Sequence, residues 1–431
     1  MDQFLLKNVA VYQNLVKEFC PAPVLRTSET TAEAANMVVS ARIRPLTDED
    51  VTAGFPSAVF PRSTGSVVVD IHDLYNHPRG RPILKSFNYE VDRLFNSQTT
   101  TEEIYEDLVV PLVPYAWDGG IGTLFTYGQT GSGKTFTTSR LEELVAESLM
   151  NGSLEGHREI YITIIDLAGN SAFDLLNSRK PISILEDSLG VTQLVGAIEH
   201  LAQDKDEVID LIDRAASFRR TAPTLKNDTS SRSHGICRIR INNPSTDEAG
   251  LLYLIDLAGS EGARDIAQHG ADRMRETREI NVSLSVLKDC IRGKVETDAL
   301  RSSSAPRSKQ KKPYVPFRQS ALTKVLKHVF DPAGNRVSKT VVIACLNPSL
   351  ADVGPSKKYS TSGTPRISAA TLARTESGAQ LLGLSALGFQ YRCTKSPGVS
   401  IEQAKAFRLK LWQMHLDSQI QSDTPSIPAS S

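Results

Sequence analysis

The chain has 431 residues, 40% hydrophobic and 23% charged, and its 49 basic and 49 acidic residues cancel. That is the composition of a soluble globular protein with one large domain or two to three smaller ones. It excludes attraction to nucleic acid or membrane through bulk charge, so any polyanion must be met by a local patch. The five cysteines are widely spaced and none sits in a C-x-x-C pair, which reads as reduced and mostly buried thiols in a cytosolic protein. There is no run of about 18 apolar residues and no secretory leader, so the chain reads as intracellular and free of membrane spans.

Residues 1–35 read as an N-terminal extension, a short amphipathic helix (Leu5, Val9, Leu15, Val16) followed by a Thr/Ala/Glu-rich link. The first strand covers 37–44 and is stopped by Pro45, with Arg42 and Arg44 on one face and Ile43 on the other. By themselves, two arginines at a strand end read as a solvated edge. Strand-like segments at 66–70 and 87–91 flank a loop at 77–82 rich in His, Pro, Arg and Gly. Residues 101–112 read as a helix capped by Thr100 or Thr101, with acids in its first turn. The run 123–127 reads as a buried strand, and 138–149 as a helix (Leu141, Leu144, Val145, Leu149).

Further along, two apolar strands end in Asp-x-x-Gly, at Asp166 and at Asp256. Helical spacing recurs at Val208, Leu211, Ile212 and Ala215, at Ile280, Leu284, Leu287 and Ile291, and at Leu322, Val325, Leu326 and Val329. Strands are expected at 237–241 and 341–346. Strands and helices mix without a clean boundary, so residues 36 to about 350 read as one α/β domain. Residues 301–312 form a Ser-rich basic loop (Arg301, Arg307, Lys309, Lys311, Lys312) between two helices. Residues 354–386 are rich in Ser, Gly, Thr and Ala, and the chain ends in a Ser/Pro-rich tail.

Between the strand 123–127 and the helix after it lies Gly128-Gln129-Thr130-Gly131-Ser132-Gly133-Lys134-Thr135, the spacing of a phosphate-binding loop. Such a loop wraps backbone N–H groups around phosphate oxygens, which leaves no room for bulky side chains. Lys134 supplies a point charge for the outer phosphates and the Thr135 hydroxyl a ligand for Mg²⁺. Strand, glycine loop and helix together aim a helix N-terminus at an anion. Asp166 and Asp256 both qualify as the magnesium-side carboxylate, since each is delivered by an apolar strand ahead of a glycine.

Asn227-Asp228-Thr229-Ser230-Ser231-Arg232-Ser233-His234 is by itself an ordinary polar loop. With the phosphate loop before it and Asp256-Leu257-Ala258-Gly259-Ser260-Glu261 after it, the sequence resembles the kinesin motor domain, whose two switches read N-x-x-S-S-R-S-H and D-L-A-G-S-E. Arg42-Ile43-Arg44-Pro45 resembles the family's R-x-R-P, and Ile280-Asn281-Val282-Ser283-Leu284 its I-N-x-S-L. Pro316-Phe317-Arg318-Gln319-Ser320-Ala321-Leu322-Thr323 resembles its P-[YF]-R-x-S-K-L-T. The similarity covers about residues 36–350.

This resemblance implies an α/β P-loop NTPase fold, with a central mixed, mostly parallel β-sheet flanked by helices on both faces. The motor domain would span 36–393, including the 354–386 insertion, with a C-terminal segment and tail at 394–431. It also implies an ATP-hydrolysing, microtubule-binding motor of the cytoplasm and cytoskeleton, with ATP and Mg²⁺ as cofactors and tubulin as partner, and with no nucleic acid or membrane involved.

At the implied site, Lys134 and the N–H groups of Gly128, Gln129, Thr130, Gly131, Ser132 and Gly133 hold the β- and γ-phosphates. Thr135 and Ser230 or Ser231 ligate Mg²⁺, Asp256 reaches it through water, and the Gly259 N–H senses the γ-phosphate. Asp166 stands at the family's E-I-Y-N-E position and so belongs to the fold. Arg232 and Glu261 pair when the switches close, and Glu261 takes the proton of the attacking water through a relay. Arg42, Arg44 and Pro45 frame the adenine, with Phe136 stacking on it. Switch closure tilts a track-binding helix that begins near Arg278, beside which the basic loop 301–312 faces acidic tubulin.

The chain also departs from the family. Ala321 replaces the lysine of S-K-L-T, which removes an expected tubulin contact. Thr137-Thr138-Ser139-Arg140 leads straight into the helix, where the family has a glycine and a longer loop. The nearest echo of the closing N-T-L-R-Y-A helix is Ala386-Leu387-Gly388-Phe389-Gln390-Tyr391-Arg392, after the insertion, and no heptad neck follows. Ile184-Leu185-Glu186-Asp187, Ala271-Asp272-Arg273 and Leu287-Lys288-Asp289-Cys290-Ile291-Arg292 resemble the internal-motor, microtubule-depolymerising kinesins. Their Lys-Val-Asp loop tip is represented at best by Val68-Val69-Asp70, and their lysine-rich neck is not seen in 1–35. Ala321 and the altered closing helix motivate a rival reading, a kinesin-fold protein that binds nucleotide or microtubules without productive motility.

Overall fold

The computed structural model describes residues 2–21, 36–62, 67–76, 80–188, 190–221, 232–244, 249–259, 271–302, 314–331 and 336–353, together with Cys393 and Ala404. Among these the strands are β1 (Met37–Ile43), β2 (Val59–Pro61), β3 (Val68–Asn76), β4 (Pro82–Glu90), β5 (Arg93–Phe95), β6 (Ile121–Tyr127), β7 (Glu159–Ala168), β8 (Ser171–Asp174), β9 (Lys180–Glu186), β10 (Thr192–Val195), β11 (His200–Ala202), β12 (His234–Asn242), β13 (Gly250–Asp256) and β14 (Ser338–Leu346).

β6 is buried along its whole length and lies between β13 and β14, parallel to both. β1 continues the parallel part beside β14, and β5 lies beside β1. Beyond β13 the sheet turns antiparallel through β12, β7, β8, β9 and β10, while β11 pairs with the first half of β7. This is the mixed α/β sheet implied by the sequence, and its parallel part carries the phosphate loop at the carboxyl end of β6. Ligands of open α/β sheets bind at that end of the strands.

Period-two alternation supplies both faces of the sheet. Leu124, Leu254 and Ile343 enter a core with the helices Leu112–Trp117, Lys134–Met150 and Lys205–Thr221. Their sequence neighbours Phe125, Ile255 and Val342 enter a second core, with the helices Ala271–Ser302, Ala321–Val325 and Lys327–Phe330. The expected stripe Ile280, Leu284 and Leu287 is buried there.

Several local expectations are revised. The helix expected over 101–112 is three pieces: Thr101–Ile104, a π-helical turn Tyr105–Val109, and Leu112–Trp117. Pro111 has no N–H to continue the ladder. Thr100 is the cap, accepting from the Glu103 N–H at 3.2 Å while Glu103 accepts from the Thr100 N–H at 2.7 Å. The helix expected around 322–329 is two short ones that meet at Leu326.

β2, β3 and β4 form a separate small sheet, in which β3 and β4 pair antiparallel with Asn76 and Pro82 as the last pair before the hairpin tip. Val68-Val69-Asp70 opens β3 at the end away from this tip. Asp70 is 5% exposed and clamped by Arg62 at 2.6 and 2.8 Å, so this triplet does not supply the loop tip of the depolymerising kinesins. The N-terminal residues form two helices, Asp2–Lys7 and Val9–Lys17, packed with β1, β3 and the end of β14 through Leu5 and Tyr12. Tyr12, outside the expected stripe, is 1% exposed, and its hydroxyl donates to the Ser57 carbonyl at 3.0 Å.

Candidate functional site

The chain leaves β6 at Tyr127 and enters the helix Lys134–Met150 inside the motif itself, four residues earlier than its apolar spacing suggests. The loop between folds around one carbonyl. Gln129 O accepts from the Ser132 N–H at 3.2 Å, from Ser132 Oγ at 2.8 Å and from Lys134 Nζ at 2.8 Å. Gly128 packs against the Cys345 carbonyl of β14 and the Ser132 hydroxyl so closely that a Cβ would collide with both. The loop is therefore a concave run of N–H groups ending on a helix N-terminus, which attracts anions.

The two arginines at the end of β1 serve this loop. Arg44 Nε donates to the Gly131 carbonyl at 2.7 Å, and its Nη atoms donate to Asp50 at 2.8 Å and Asn347 at 2.9 Å, which ties the loop to the ends of β1 and β14. Arg42 donates to Thr137 Oγ1 at 2.7 Å and lies 5.7 Å from the centre of the Phe136 ring. Phe136 is 70% exposed, an aromatic face open to a planar ligand at the loop's flank.

On the other flank Thr135 Oγ1 donates to Asp256 Oδ2 at 2.8 Å. Asp256 Oδ1, also buried, has no hydrogen-bond partner among the described residues. A hydroxyl and a carboxylate with an uncommitted oxygen, beside a phosphate cradle, fit Mg²⁺, which takes few protein oxygens and keeps several waters.

A family model for the kinesin motor domain matches residues 42–359. The chain belongs to the kinesin motor domain family. Its relatives include Diatom spindle kinesin-1 of Cylindrotheca fusiformis, 34% identical over 325 residues that make up 73% of this chain and 48% of the relative. Kinesin-like protein KIN-13B of Arabidopsis thaliana is 31% identical over 326 residues, 73% of this chain and 45% of the relative. Kinesin-like protein KIF24 of Homo sapiens is 34% identical over 268 residues, 60% of this chain and 18% of the relative. The kinesin domain described here thus spans less than half the length of these relatives.

The structure brings Lys134, Thr135 and Asp256 together and sets Gly259, buried, three residues beyond Asp256. Arg232 is half-buried just before β12. Ser230, Ser231 and Glu261 lie outside the described residues, as do the basic loop from 303 to 312 and the closing-helix echo at 386–392. Ala321 is 5% exposed at a helix start, its N–H donating to Asn170 at 3.2 Å. Among the described residues no helix is long and apolar enough to cross a membrane.

Arg219 was not singled out by sequence. It lies near the end of the helix Lys205–Thr221, 8% exposed, and its Nη1 donates to Asp256 Oδ2 at 2.7 Å while its Nε lies 3.7 Å from Asp166 Oδ1. Gly235 of β12 stands in register between Asp166 and Asp256, and its missing Cβ leaves the space that the guanidinium fills. Asp166 also receives Arg179 at 3.2 Å. It is thus held in an ion network behind the loop, on the opposite side of Gly235 from Asp256.

A cavity of about 310 Å³ lies behind Thr135 and Asp256, with Ile212, Cys237 and Glu142 among its walls. Glu142 faces it half-buried, and burial together with the charge of Asp256 pushes its carboxyl up to about 8. The unfolded chain releases that proton near 4.5, so the folded state binds more protons between these values and stability falls as pH rises through the window. In nucleotide- and magnesium-free buffer, Glu142→Gln is expected to gain in unfolding midpoint on the wild type between about pH 5 and pH 8. A constant offset over that range would remove the buried proton.

Proposed function

We propose that this kinesin domain hydrolyses ATP with Mg²⁺ and couples the state of its nucleotide to binding of microtubules in the cytoplasm. The observation that carries the reading is the convergence of Thr135 and Asp256 at 2.8 Å beside the Lys134 loop. In this reading Lys134 leaves the Gln129 carbonyl for the outer phosphate oxygens, and the N–H groups of 128–133 hold the β- and γ-phosphates by charge and position. Thr135, Ser230 or Ser231, and Asp256 through water hold Mg²⁺, which neutralises phosphate charge. Arg42, Arg44 and Pro45 frame the adenine with Phe136 stacking on it, while Arg44 also fixes the loop's outer edge. The Gly259 N–H donates to the γ-phosphate, Glu261 accepts the proton of the attacking water, and Arg232 pairs with Glu261 when the switches close.

ATP turnover, measured with and without microtubules alongside filament length, tests this reading. We expect turnover that microtubules raise about tenfold or more, as when a partner completes a site. Turnover that microtubules leave unchanged points instead to a kinesin-fold binder without productive motility. Shortening filaments in the same assay would assign disassembly as the output. The buried position of Val68-Val69-Asp70 weighs against that, while the similarity of segments 184–187, 271–273 and 287–292 to depolymerising kinesins weighs for it.

A further inference from the structure

His234 opens β12 two residues past Arg232 and is 1% exposed. Its ring is held on both sides. The Ala258 N–H donates to Nδ1 at 3.0 Å, and Nε2 lies 2.8 Å from Ser283 Oγ. A backbone N–H can only donate, so Nδ1 is the bare nitrogen. Burial, with Arg219 and Lys134 nearby, holds the ring's pKa down at about 3, so the imidazole is neutral and its one proton sits on Nε2. Ser283 Oγ accepts a hydrogen bond from Nε2–H and donates its own to the Ile280 carbonyl at 2.8 Å. From the Ala258 N–H to the Ile280 carbonyl, each link has its donor and its acceptor.

The ends of this chain matter more than its length. Ala258 immediately precedes Gly259, the N–H proposed to sense the γ-phosphate. Ser283, 2% exposed, lies on the helix Ala271–Ser302, the proposed track-facing element. His234 itself terminates the first switch segment. Apolar contacts at Leu284 and Leu287 also hold this helix to the sheet, but such contacts are non-directional and tolerate sliding. A buried hydrogen-bond chain weakens steeply when its angles change, so it fixes register.

We propose that His234 is a positioning residue that joins the γ-phosphate-sensing backbone at Ala258–Gly259 to the helix Ala271–Ser302 through Ser283. The inference rests on the motor reading above. A shift of Gly259 toward a γ-phosphate moves Ala258 with it, and the imidazole carries that shift to Ser283 as a rigid planar link. A histidine serving only to fill the core would need neither partner on a moving element. No side chain other than imidazole offers an acceptor and a donor on opposite edges of one rigid ring.

The test uses the full chain and three variants. Asn at 234 keeps an acceptor near the Nδ1 position, Gln at 234 keeps a donor near Nε2, and Ser283→Ala leaves the ring intact while removing its acceptor. Each of His234→Asn, His234→Gln and Ser283→Ala is expected to lower microtubule stimulation of ATP turnover about fivefold or more, the scale of an ordinary coupling energy. Ser283→Ala strands the buried Nε2–H without its acceptor and should lower the unfolding midpoint by only a few degrees, leaving the chain folded. Nitrogen-15 histidine NMR of the wild type should show an Nε2–H neutral ring from about pH 6 to 8. Stimulation of Ser283→Ala within about twofold of wild type, or an Nδ1–H or doubly protonated ring, overturns the proposal. If the His234 variants fail to fold, Ser283→Ala decides. A wild type that microtubules do not stimulate removes the motor reading and this coupling with it, whereas a stimulated wild type with equally stimulated variants removes the coupling alone.

Discussion

Arg219→Ala is expected to destabilise the kinesin domain by about 3–5 kcal/mol, the loss typical when one partner of a buried ion network is removed. The estimate follows from what the side chain leaves behind. Asp166 is 1% exposed and Asp256 5%, and Arg219 reaches both across Gly235. Arg179 still serves Asp166 at 3.2 Å and Thr135 still donates to Asp256 at 2.8 Å, so neither carboxylate loses every partner, but their shared cation is gone. Two further outcomes separate this from simple loss of packing. The deficit should shrink as pH falls, because stranded carboxylates can take up protons in the folded state and cease to be buried charges. It should widen in saturating Mg²⁺ and nucleotide, because a ligand stabilises each protein according to its affinity and the variant is expected to bind more weakly. Arg219→Lys should lie between, since an ammonium is one point charge and cannot fork to two carboxylates. Wild-type stability and magnesium-dependent nucleotide affinity in Arg219→Ala would show that the network is not what holds Asp256.

That network marks where sequence reading stops. The phosphate loop was legible because one contiguous stretch fixes its geometry, its N–H cradle and its helix start. The choice between Asp166 and Asp256 rests on the order of the surrounding motifs, for both aspartates end apolar strands in the same way. Arg219 was not legible. An arginine at a helix C-terminus already has a local explanation in the helix dipole, and its contact with Asp256 spans 37 positions. The β3–β4 hairpin shows the same limit. Only its first and last residues read as strand, because His72 and Ser86 in its middle break the apolar pattern. In the fold His72 is 3% exposed, 2.7 Å from Ser86 Oγ, with its ring 4.6 Å from that of Phe19. Polar residues buried by pairing look like loop until their partners are known. The π-helical turn at Tyr105–Val109 carries no distinct composition, so its helix was expected without a break.

Glu261→Ala is expected to bind ATP normally and to hydrolyse it at least about tenfold more slowly, since a positioned proton acceptor contributes about 10²–10⁴ in rate. The motif sets Glu261 five positions after Asp256 and two after Gly259, the residue proposed to sense the γ-phosphate. The loss should fall on kcat with KM unchanged, because a proton acceptor acts in the transition state and not in binding. Glu261→Gln should be as slow as Glu261→Ala, since the amide keeps the shape but takes no proton. This pattern differs from that of Arg219→Ala, in which stability and magnesium-dependent binding fall together. Near-normal turnover in Glu261→Ala would take Glu261 out of the mechanism. If Glu261 acts through its pairing with Arg232, Arg232→Ala should be comparably slow and the double variant little slower than either single one. Residues that work as a unit are not additive, so independent losses that multiply would place the two side chains in separate roles.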